Sequence, residues 1–99
     1  MPTPTPPLPD ARVVMIGRVD CHLCALAREV IEGVVAQTGD TFVEVDIDAD
    51  PALARYTDEV PVTFVDGRQH DYWRVDEGRL RAALRAADAA NRGPGPADR

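Results

Sequence analysis

The order in which hydrophobic periods follow one another constrains the fold of this chain more than any other feature. The apolar run Arg12–Gly17 predicts a short strand that is buried on both faces. From Cys21 to about Gln37, apolar residues recur at intervals of three and four, which predicts an amphipathic helix. Thr41–Ile47 alternates and predicts a second strand. A strand, a helix and a strand in succession build a parallel pair with a right-handed crossover.

Two further helices are predicted from capping residues. Asp50 precedes Pro51, and because aspartate caps helices and proline suits the first helical position, a short helix is expected to run to about Tyr56. Asp76 is the second capping residue, and the apolar stripe that follows it predicts a last helix.

A β-hairpin is predicted between these two helices. Val62–Val65 and Gln69–Arg74 are its strands, and Asp66–Gly67 is its turn. The order of elements is therefore βαβαββα. Because a hairpin adds antiparallel strands to the parallel pair, the sequence predicts an α/β domain with a four-stranded mixed sheet. A domain of this size buries an adequate core only if helices cover both faces of the sheet.

The two ends of the chain have a different composition. Residues 1–10 contain five prolines and one large apolar side chain, Leu8, and residues 91–99 contain a Gly-Pro-Gly-Pro run. Such segments cannot bury enough surface to order themselves, so both are predicted to be disordered tails of a domain at residues 11–90. Residues 1–10 also lack the features of a secretion signal, and no apolar run approaches the ~20 residues of a membrane span. We therefore expect a cytoplasmic protein.

The net charge of the chain argues against two classes of binding partner. Seventeen acidic residues against eleven basic ones give a formal net charge of −6. The resulting field repels the phosphates of nucleic acids and anionic membrane surfaces. We expect no nucleic-acid partner and no membrane partner, and we expect the domain to be a monomer.

The only cysteines of the chain, Cys21 and Cys24, lie at the junction between the first strand and the first helix. Free backbone N–H groups and the positive end of the helix dipole stabilise a thiolate there, so the pKa of the Cys21 thiol is expected to drop. Cys24 lies one turn further on, close enough for a disulfide but deeper and with fewer free donors. These positions predict that Cys21 attacks a disulfide and that Cys24 then attacks Cys21 to release the product.

Three neighbours of Cys21 carry charge or can gain it. His22 either adds positive charge near the sulfur or is an exposed loop residue. Arg18 either holds a substrate carboxylate and favours the thiolate, or is an ordinary surface arginine. Asp20 acts in the opposite direction, because its carboxylate is a like charge beside the thiolate.

Three other uses of the cysteine pair compete with exchange chemistry. A structural zinc site needs four ligands, and only His22 and His70 could join the two cysteines. Two buried cysteines without chemistry are the second alternative. A static disulfide is the third, although a disulfide that closes so short a loop gains little stability. We expect no metal and no organic cofactor.

The segment before the third strand leads to a family resemblance. Val60–Pro61 opens that strand, and an interior strand tolerates proline only at its first residue or at an edge. With its D-C-H-L-C start and its E-V-P-V motif, the chain resembles the short bacterial glutaredoxin-like proteins of the thioredoxin fold from about Arg12 to Ala87. The resemblance implies a sheet in which strand one lies beside strands two and three.

The resemblance also implies roles for individual residues. Cys21 corresponds to the nucleophile and Cys24 to the resolving thiol. Pro61 corresponds to a cis-proline that faces the sulfurs, and the backbone of Val60 to the part that pairs with a bound peptide or thiol. The implied function is that of a thiol-disulfide oxidoreductase. Its partners would be a disulfide-bearing protein or a small-molecule thiol, and a reductase or thiol as electron donor. The alternative is a redox sensor or adaptor whose disulfide state controls binding to another protein.

One segment departs from the family. Glutathione-using glutaredoxins have a Gly-Gly turn and an acidic residue after the hairpin, whereas this chain has Asp71–Asp76 without Gly-Gly. The co-substrate that the resemblance allows is a low-molecular-weight thiol, glutathione or another. Asp76 either matches the acidic residue or only caps the last helix. Tyr72 and Trp73 either offer an aromatic surface beside the site or pack within the edge hairpin.

Overall fold

A strand with every side chain buried runs through the centre of the protein. The computed structural model describes residues 8–91, with side chains to residue 89. Its elements, in chain order, are β1 (Val13–Gly17), α1 (His22–Thr38), β2 (Phe42–Asp46), two 3-10 helices (Ile47–Ala49 and Pro51–Tyr56), β3 (Val62–Val65), β4 (Arg68–Tyr72) and α2 (Glu77–Asn91). The predicted order is confirmed, with ends that differ by one or two residues. The predicted tails at residues 1–10 and 91–99 lie mostly outside the described residues.

The sheet has four strands in the order β2-β1-β3-β4. β1 pairs with β2 in parallel, from Val13 beside Phe42 to Gly17 beside Asp46. The pairs β1–β3 and β3–β4 are antiparallel. The sheet is therefore mixed, as predicted, and β1 lies beside both β2 and β3, which confirms the strand order that the resemblance implied. No helix within residues 8–91 is long and apolar enough to cross a bilayer.

Side chains alternate between the two faces of β1 and divide the core into two clusters. Val13 and Met15 pack against α1 and α2, whereas Val14 and Ile16 pack on the opposite face. The first core also contains the buried side chains of the two α-helices, which are Cys24, Ala27, Ile31, Val34, Leu80 and Leu84. The second core also contains Ile47, Leu53, Tyr56, Val62 and Phe64. Helical segments therefore cover both faces of the sheet, as predicted.

The short helix predicted at Pro51–Tyr56 is present, and it is a 3-10 helix. Asp50 caps it as expected, because its carboxylate accepts a hydrogen bond from the Ala52 N–H at 2.9 Å. Such tight helices are common as short connectors between larger elements. The preceding 3-10 helix at Ile47–Ala49 was not predicted at all.

Arg12 joins three parts of the chain at the end of the sheet where β1 begins. Its guanidinium donates to Asp40 at 2.8 Å, to Asp66 at 2.7 Å and to Asp88 at 2.9 Å. A fourth hydrogen bond reaches the Leu84 carbonyl at 3.3 Å. One side chain thus connects the segment after α1, the turn between β3 and β4, and α2.

The hydroxyl of Thr63 gives a prediction about stability. Thr63 is fully buried, and its Oγ1 atom has no hydrogen-bond partner among the described residues. Replacing it with valine, which has nearly the same shape, is expected to raise the free energy of unfolding by about 1 kcal/mol, because a buried unpaired hydroxyl is costly. Urea unfolding measures the change. The matched control is Thr41→Val, which removes an acceptor of the Arg12 N–H at 2.8 Å and is expected to destabilise the protein. A destabilised Thr63→Val protein would contradict the prediction.

His70 is the more buried of the two histidines, with a side chain that is 12% exposed. Its Nε2 atom has no hydrogen-bond partner within residues 8–91, and the Asp71 carboxylate lies 4.0 Å away. Burial lowers the pKa of His70, the charge of Asp71 raises it, and the charge of Arg79 lowers it. The pKa therefore lies below the usual value of 6.5.

Acidification is expected to destabilise the protein through His70. In the pH range below the usual pKa of histidine, the unfolded chain binds more protons than the folded protein, so the free energy of unfolding falls as the pH drops from about 7 to about 5. Denaturant unfolding at a series of pH values measures this fall. His70→Gln should make this fall shallower. Equal pH profiles for His70→Gln and the unsubstituted protein would disprove the assignment.

Candidate active site

The two cysteines lie at the start of α1, and a disulfide joins them with their Cα atoms 5.1 Å apart. Cys21 is the N-cap residue, with extended φ and ψ angles of −104° and 113°, and the helix begins at His22. The Cys21 Sγ atom accepts a hydrogen bond from the Cys24 N–H at 3.1 Å. The sulfur thus occupies the place that a serine or aspartate oxygen holds in an ordinary capped helix.

The two sulfurs differ in their access to solvent. Cys21 is half-buried at the rim of the first core, whereas Cys24 is fully buried within it. The predicted difference in depth is confirmed. A substrate that approaches from solvent meets Cys21, and Cys24 can meet only Cys21 without rearrangement of the core.

Gly17, the last residue of β1, lets the buried sulfur approach the end of the strand. A Cβ atom at this position would lie 3.3 Å from the Cys24 Sγ atom and 3.3 Å from the Glu44 Oε2 atom. Any larger residue would therefore press on the disulfide. The lack of a side chain at Gly17 leaves room for the sulfur.

Pro61 lies on the other side of the site, immediately before β3. The Val60–Pro61 peptide bond is cis, as the resemblance implied. Ile16 lies opposite Val62 in the antiparallel pair, so the next position along the register sets Pro61 opposite Gly17. Because Val65 faces α1 and side chains alternate along a strand, Pro61 lies on the same face of the sheet as Cys24.

The backbone polar groups of Val60 take no part in the hydrogen bonding of the described residues. Neither its N–H nor its carbonyl makes a hydrogen bond within residues 8–91, although the residue is half-buried. Buried backbone groups are nearly always paired, so this peptide unit is available to another chain. The carbonyl of Pro61, in contrast, already accepts the Trp73 N–H at 2.8 Å.

A cleft of 760 Å³ opens beside Cys21, and Arg18, Asp20 and His22 line it. The structure therefore brings Arg18 and His22 to the same cleft as the exposed sulfur. Neither side chain makes a hydrogen bond or ion pair with another described residue. Asp20 holds a φ of 60°, a left-handed conformation that aspartate tolerates better than most residues. Val60 and Pro61 are not part of this cleft, which lies on the β2 side of β1.

One ion pair in the wall of this cleft escaped the sequence analysis. Arg28 of α1 donates to both carboxylate oxygens of Glu44 on β2, at 2.5 and 2.8 Å. The two residues are 16 positions apart, and only the pairing of β2 with β1 brings them together. No local sequence signal predicts such a contact.

The segment after β4 resolves two open alternatives. The Asp76 carboxylate accepts the Arg79 N–H at 2.8 Å, which confirms that it caps α2. Tyr72 and Trp73 are 49% and 51% exposed, so they form a surface rather than a buried part of the hairpin. Their rings meet edge to face with centroids 5.0 Å apart.

The other uses of the cysteine pair can be compared with this geometry. Cys21 keeps access to solvent, which does not fit a pair of inert buried cysteines. Within residues 8–91, no three side chains of histidine, cysteine, aspartate or glutamate are grouped as metal ligands would be. A disulfide between residues three positions apart constrains the unfolded chain little, so a purely structural role would add little stability.

The arrangement defines a class of protein. A mixed sheet in the order β2-β1-β3-β4, a disulfide at the start of the helix after β1, and a cis-proline before β3 together make a thioredoxin-like fold. The chain belongs to the glutaredoxin-like family, because the profile of the Glutaredoxin-like domain (DUF836) matches residues 12–85.

Relatives and solved structures agree with this assignment. An uncharacterized protein of Mycobacterium tuberculosis, Rv0508, is 35% identical over 79 residues, which cover 74% of this chain and 81% of the relative. The X-ray structure of XcR50 from X. campestris is similar with a TM-score of 0.62 and 38% identity, over 75% of this chain and 96% of that chain. The holo form of glutaredoxin C1 from Populus tremula x tremuloides has a TM-score of 0.50 and 27% identity, over 81% and 79% of the two chains.

Proposed function

We propose that the protein is a thiol-disulfide oxidoreductase that uses Cys21 as nucleophile and Cys24 as resolving thiol. The observation that carries the proposal is the inequality of the two sulfurs at the start of α1. Cys21 is accessible and accepts a backbone N–H, whereas Cys24 is buried behind it. Because a thiolate accepts a hydrogen bond more strongly than a thiol does, we expect the pKa of reduced Cys21 to lie below the free value of ~8.5.

The reaction has two steps. In the first, the Cys21 thiolate attacks a substrate disulfide, forms a mixed disulfide with one half and releases the other half as a thiolate, which takes up a proton. In the second, Cys24 loses its proton and attacks Cys21, which forms the Cys21–Cys24 disulfide and releases the second thiol. Two electrons pass from the protein to the substrate. An external thiol or reductase must return them before the next cycle.

Residues around the disulfide have supporting roles in this proposal. The unpaired backbone of Val60 can bind an extended peptide or a thiol substrate, and Pro61 would flank the sulfurs. The free side chains of Arg18 and His22 would tune the thiolate of Cys21 or hold a carboxylate of the substrate.

The conditions of the reaction are also proposals. The substrates would be disulfides of proteins or of small thiols in the cytoplasm, with glutathione or another low-molecular-weight thiol as a co-substrate. A reductase or thiol would supply the electrons, and no metal or organic cofactor would be needed. The protein would act as a monomer without nucleic-acid or membrane partners.

Turnover tests this function against the sensor or adaptor alternative. The protein is supplied with a small mixed disulfide and an excess of a thiol with its reductase, and consumption of the reductase's cofactor is followed. Repeated turnover supports an enzyme. Reversible oxidation of the pair in a thiol redox buffer without turnover would identify a sensor, and failure to oxidise at all would disprove both.

A further inference from the structure

An apolar groove lies between α1 and the segment that follows β4. Seven residues define this α1 groove: Leu23, Leu26, Ala27, Val30, Trp73, Arg74 and Val75. Leu23 lies between the two cysteines in the chain, so the groove includes the first turn of α1, where the disulfide also lies. Its volume of 230 Å³ is below the ~300–1,000 Å³ of small-molecule pockets and suits the side chains of a peptide.

Exposed apolar side chains are grouped at the α1 groove. The large apolar side chains that the described part of the chain leaves exposed are Val19, Leu26, Val43, Tyr72 and Trp73. Leu26 and Trp73 line the α1 groove and Tyr72 packs against Trp73, whereas Val19 lines the charged cleft beside Cys21. Concentration of exposed apolar and aromatic surface in one place is typical of protein-binding sites.

Trp73 is held in place before any partner binds. Its backbone has a φ of 65°, which is strained for an aromatic residue, and its N–H donates to the Pro61 carbonyl at 2.8 Å. Its indole Nε1–H donates to the Asp58 carbonyl at 3.0 Å, and its ring rests against Tyr72. A half-exposed tryptophan that is already ordered loses little conformational entropy on contact, which is the property of a binding anchor.

Charge indicates the chemistry of the partner. No acidic side chain lines the α1 groove, although the whole chain carries a net charge of −6. The exposed Arg74 at its edge makes no ion pair with another described residue. A segment with an apolar side chain for the groove and a carboxylate for Arg74 is therefore complementary to this surface.

We propose that the α1 groove binds an extended segment of a disulfide-bearing protein, with an apolar residue beside the reactive cysteine and an acidic residue near it. The proposal rests on the proposed function and names its substrate class as protein disulfides of this kind. The apolar side chain lies between Leu26 and Trp73, the carboxylate pairs with Arg74, and the cysteine is thereby held near Cys21. The exchange reaction itself is unchanged.

Two cysteine peptides without aromatic residues test the proposal kinetically, each as a mixed disulfide with the same small thiol. One has leucine next to cysteine and aspartate nearby, and the other has serine and lysine at these positions. The protein is expected to reduce the leucine peptide with a kcat/KM roughly tenfold higher. Leu26→Glu and Trp73→Gly, in which glycine relieves the positive φ, should each remove the preference. Val43→Glu, on exposed apolar surface away from the site, should keep it.

Fluorescence tests docking without catalysis. Trp73 is the only tryptophan, so the emission reports on the surroundings of this one residue of the α1 groove. In Cys21→Ser protein, which cannot exchange, the leucine peptide is expected to shift the emission to shorter wavelength and the serine peptide is not. Reduction of both peptides at equal rates, with no shift, would overturn the groove proposal and leave the oxidoreductase intact.

Other outcomes separate the two proposals. A selective shift without reduction of either peptide by the unsubstituted protein would support the groove and contradict the oxidoreductase. A shift that depends only on protein concentration, and that Leu26→Glu abolishes together with self-association, would assign the groove to a second copy and overturn the proposal.

Discussion

Cys21→Ser protein is expected to reduce disulfides no faster than the uncatalysed background, because serine has no thiolate to attack the substrate sulfur. Cys24→Ser protein is expected to perform the first step and stop. Its Cys21 then stays joined to one half of the substrate, since no second thiol is present to release it. Mass spectrometry without reductant measures the adduct, and a turnover assay measures the loss of activity.

Because Cys24 is buried, the Cys21→Ser and Cys24→Ser proteins are expected to behave differently towards substrate. Cys24 lies within the first core, out of reach of substrate, so it should not replace Cys21 as nucleophile. Adducts on Cys24 in the Cys21→Ser protein would contradict the assignment of roles. Applied to a cell extract, the Cys24→Ser adduct also identifies the client, and sequences around its cysteine can be compared with the apolar and acidic pattern proposed for the α1 groove.

Arg12→Met is expected to lower the free energy of unfolding by about 2 kcal/mol, the sum of three modest ion pairs in one network. Burial opposes the charge of Arg12, but the hydrogen bond and charge of Asp66 and the charges of Asp40 and Asp88 outweigh it, which raises the pKa of the guanidinium. Methionine keeps much of the apolar stem and leaves three carboxylates close to one another. Urea unfolding at low and high salt measures the loss, which should shrink as salt screens the charges.

A matched variant distinguishes the network from charge in general. Arg85→Met removes the same charge from an exposed position on α2 that has no ion pair within residues 8–91, and it should change stability little. In a double-mutant cycle, Asp40→Asn should cost less in the Arg12→Met background than in the unsubstituted protein. Additive effects would show that Arg12 and Asp40 do not interact.

Local patterns explain why so much of the fold could be predicted. The apolar run of β1, the three-four spacing of α1 and the capping aspartates Asp50 and Asp76 each depend on neighbours within a few residues. The short helix at Pro51–Tyr56 was placed correctly, but its 3-10 geometry was not predicted, since a capping signal marks the start of a helix and says nothing of how tightly the next turn winds. The partners of Arg12 are 28, 54 and 76 positions away, and no periodic pattern encodes such distances.

The candidate site likewise has some features that local sequence predicts and others that depend on distant parts of the chain. The spacing of Cys21 and Cys24 and their place at a helix start predicted the disulfide and the difference in depth. Arg18 was predicted to lie near Cys21 because the two are close in sequence, and both line the same cleft. The pairing of Arg28 with Glu44 depends on the register of β2. The conformation of Trp73 was equally inaccessible, because a positive φ is expected of glycine or asparagine and not of tryptophan.

The hydrogen bond from the Cys24 N–H to the Cys21 sulfur makes the site robust to sequence change. The donor is the main-chain N–H of Cys24, which the start of α1 orients. It does not depend on the side chains that lie between the two cysteines. Substitutions of His22 or Leu23 therefore leave this hydrogen bond in place as long as α1 still begins at the same residue.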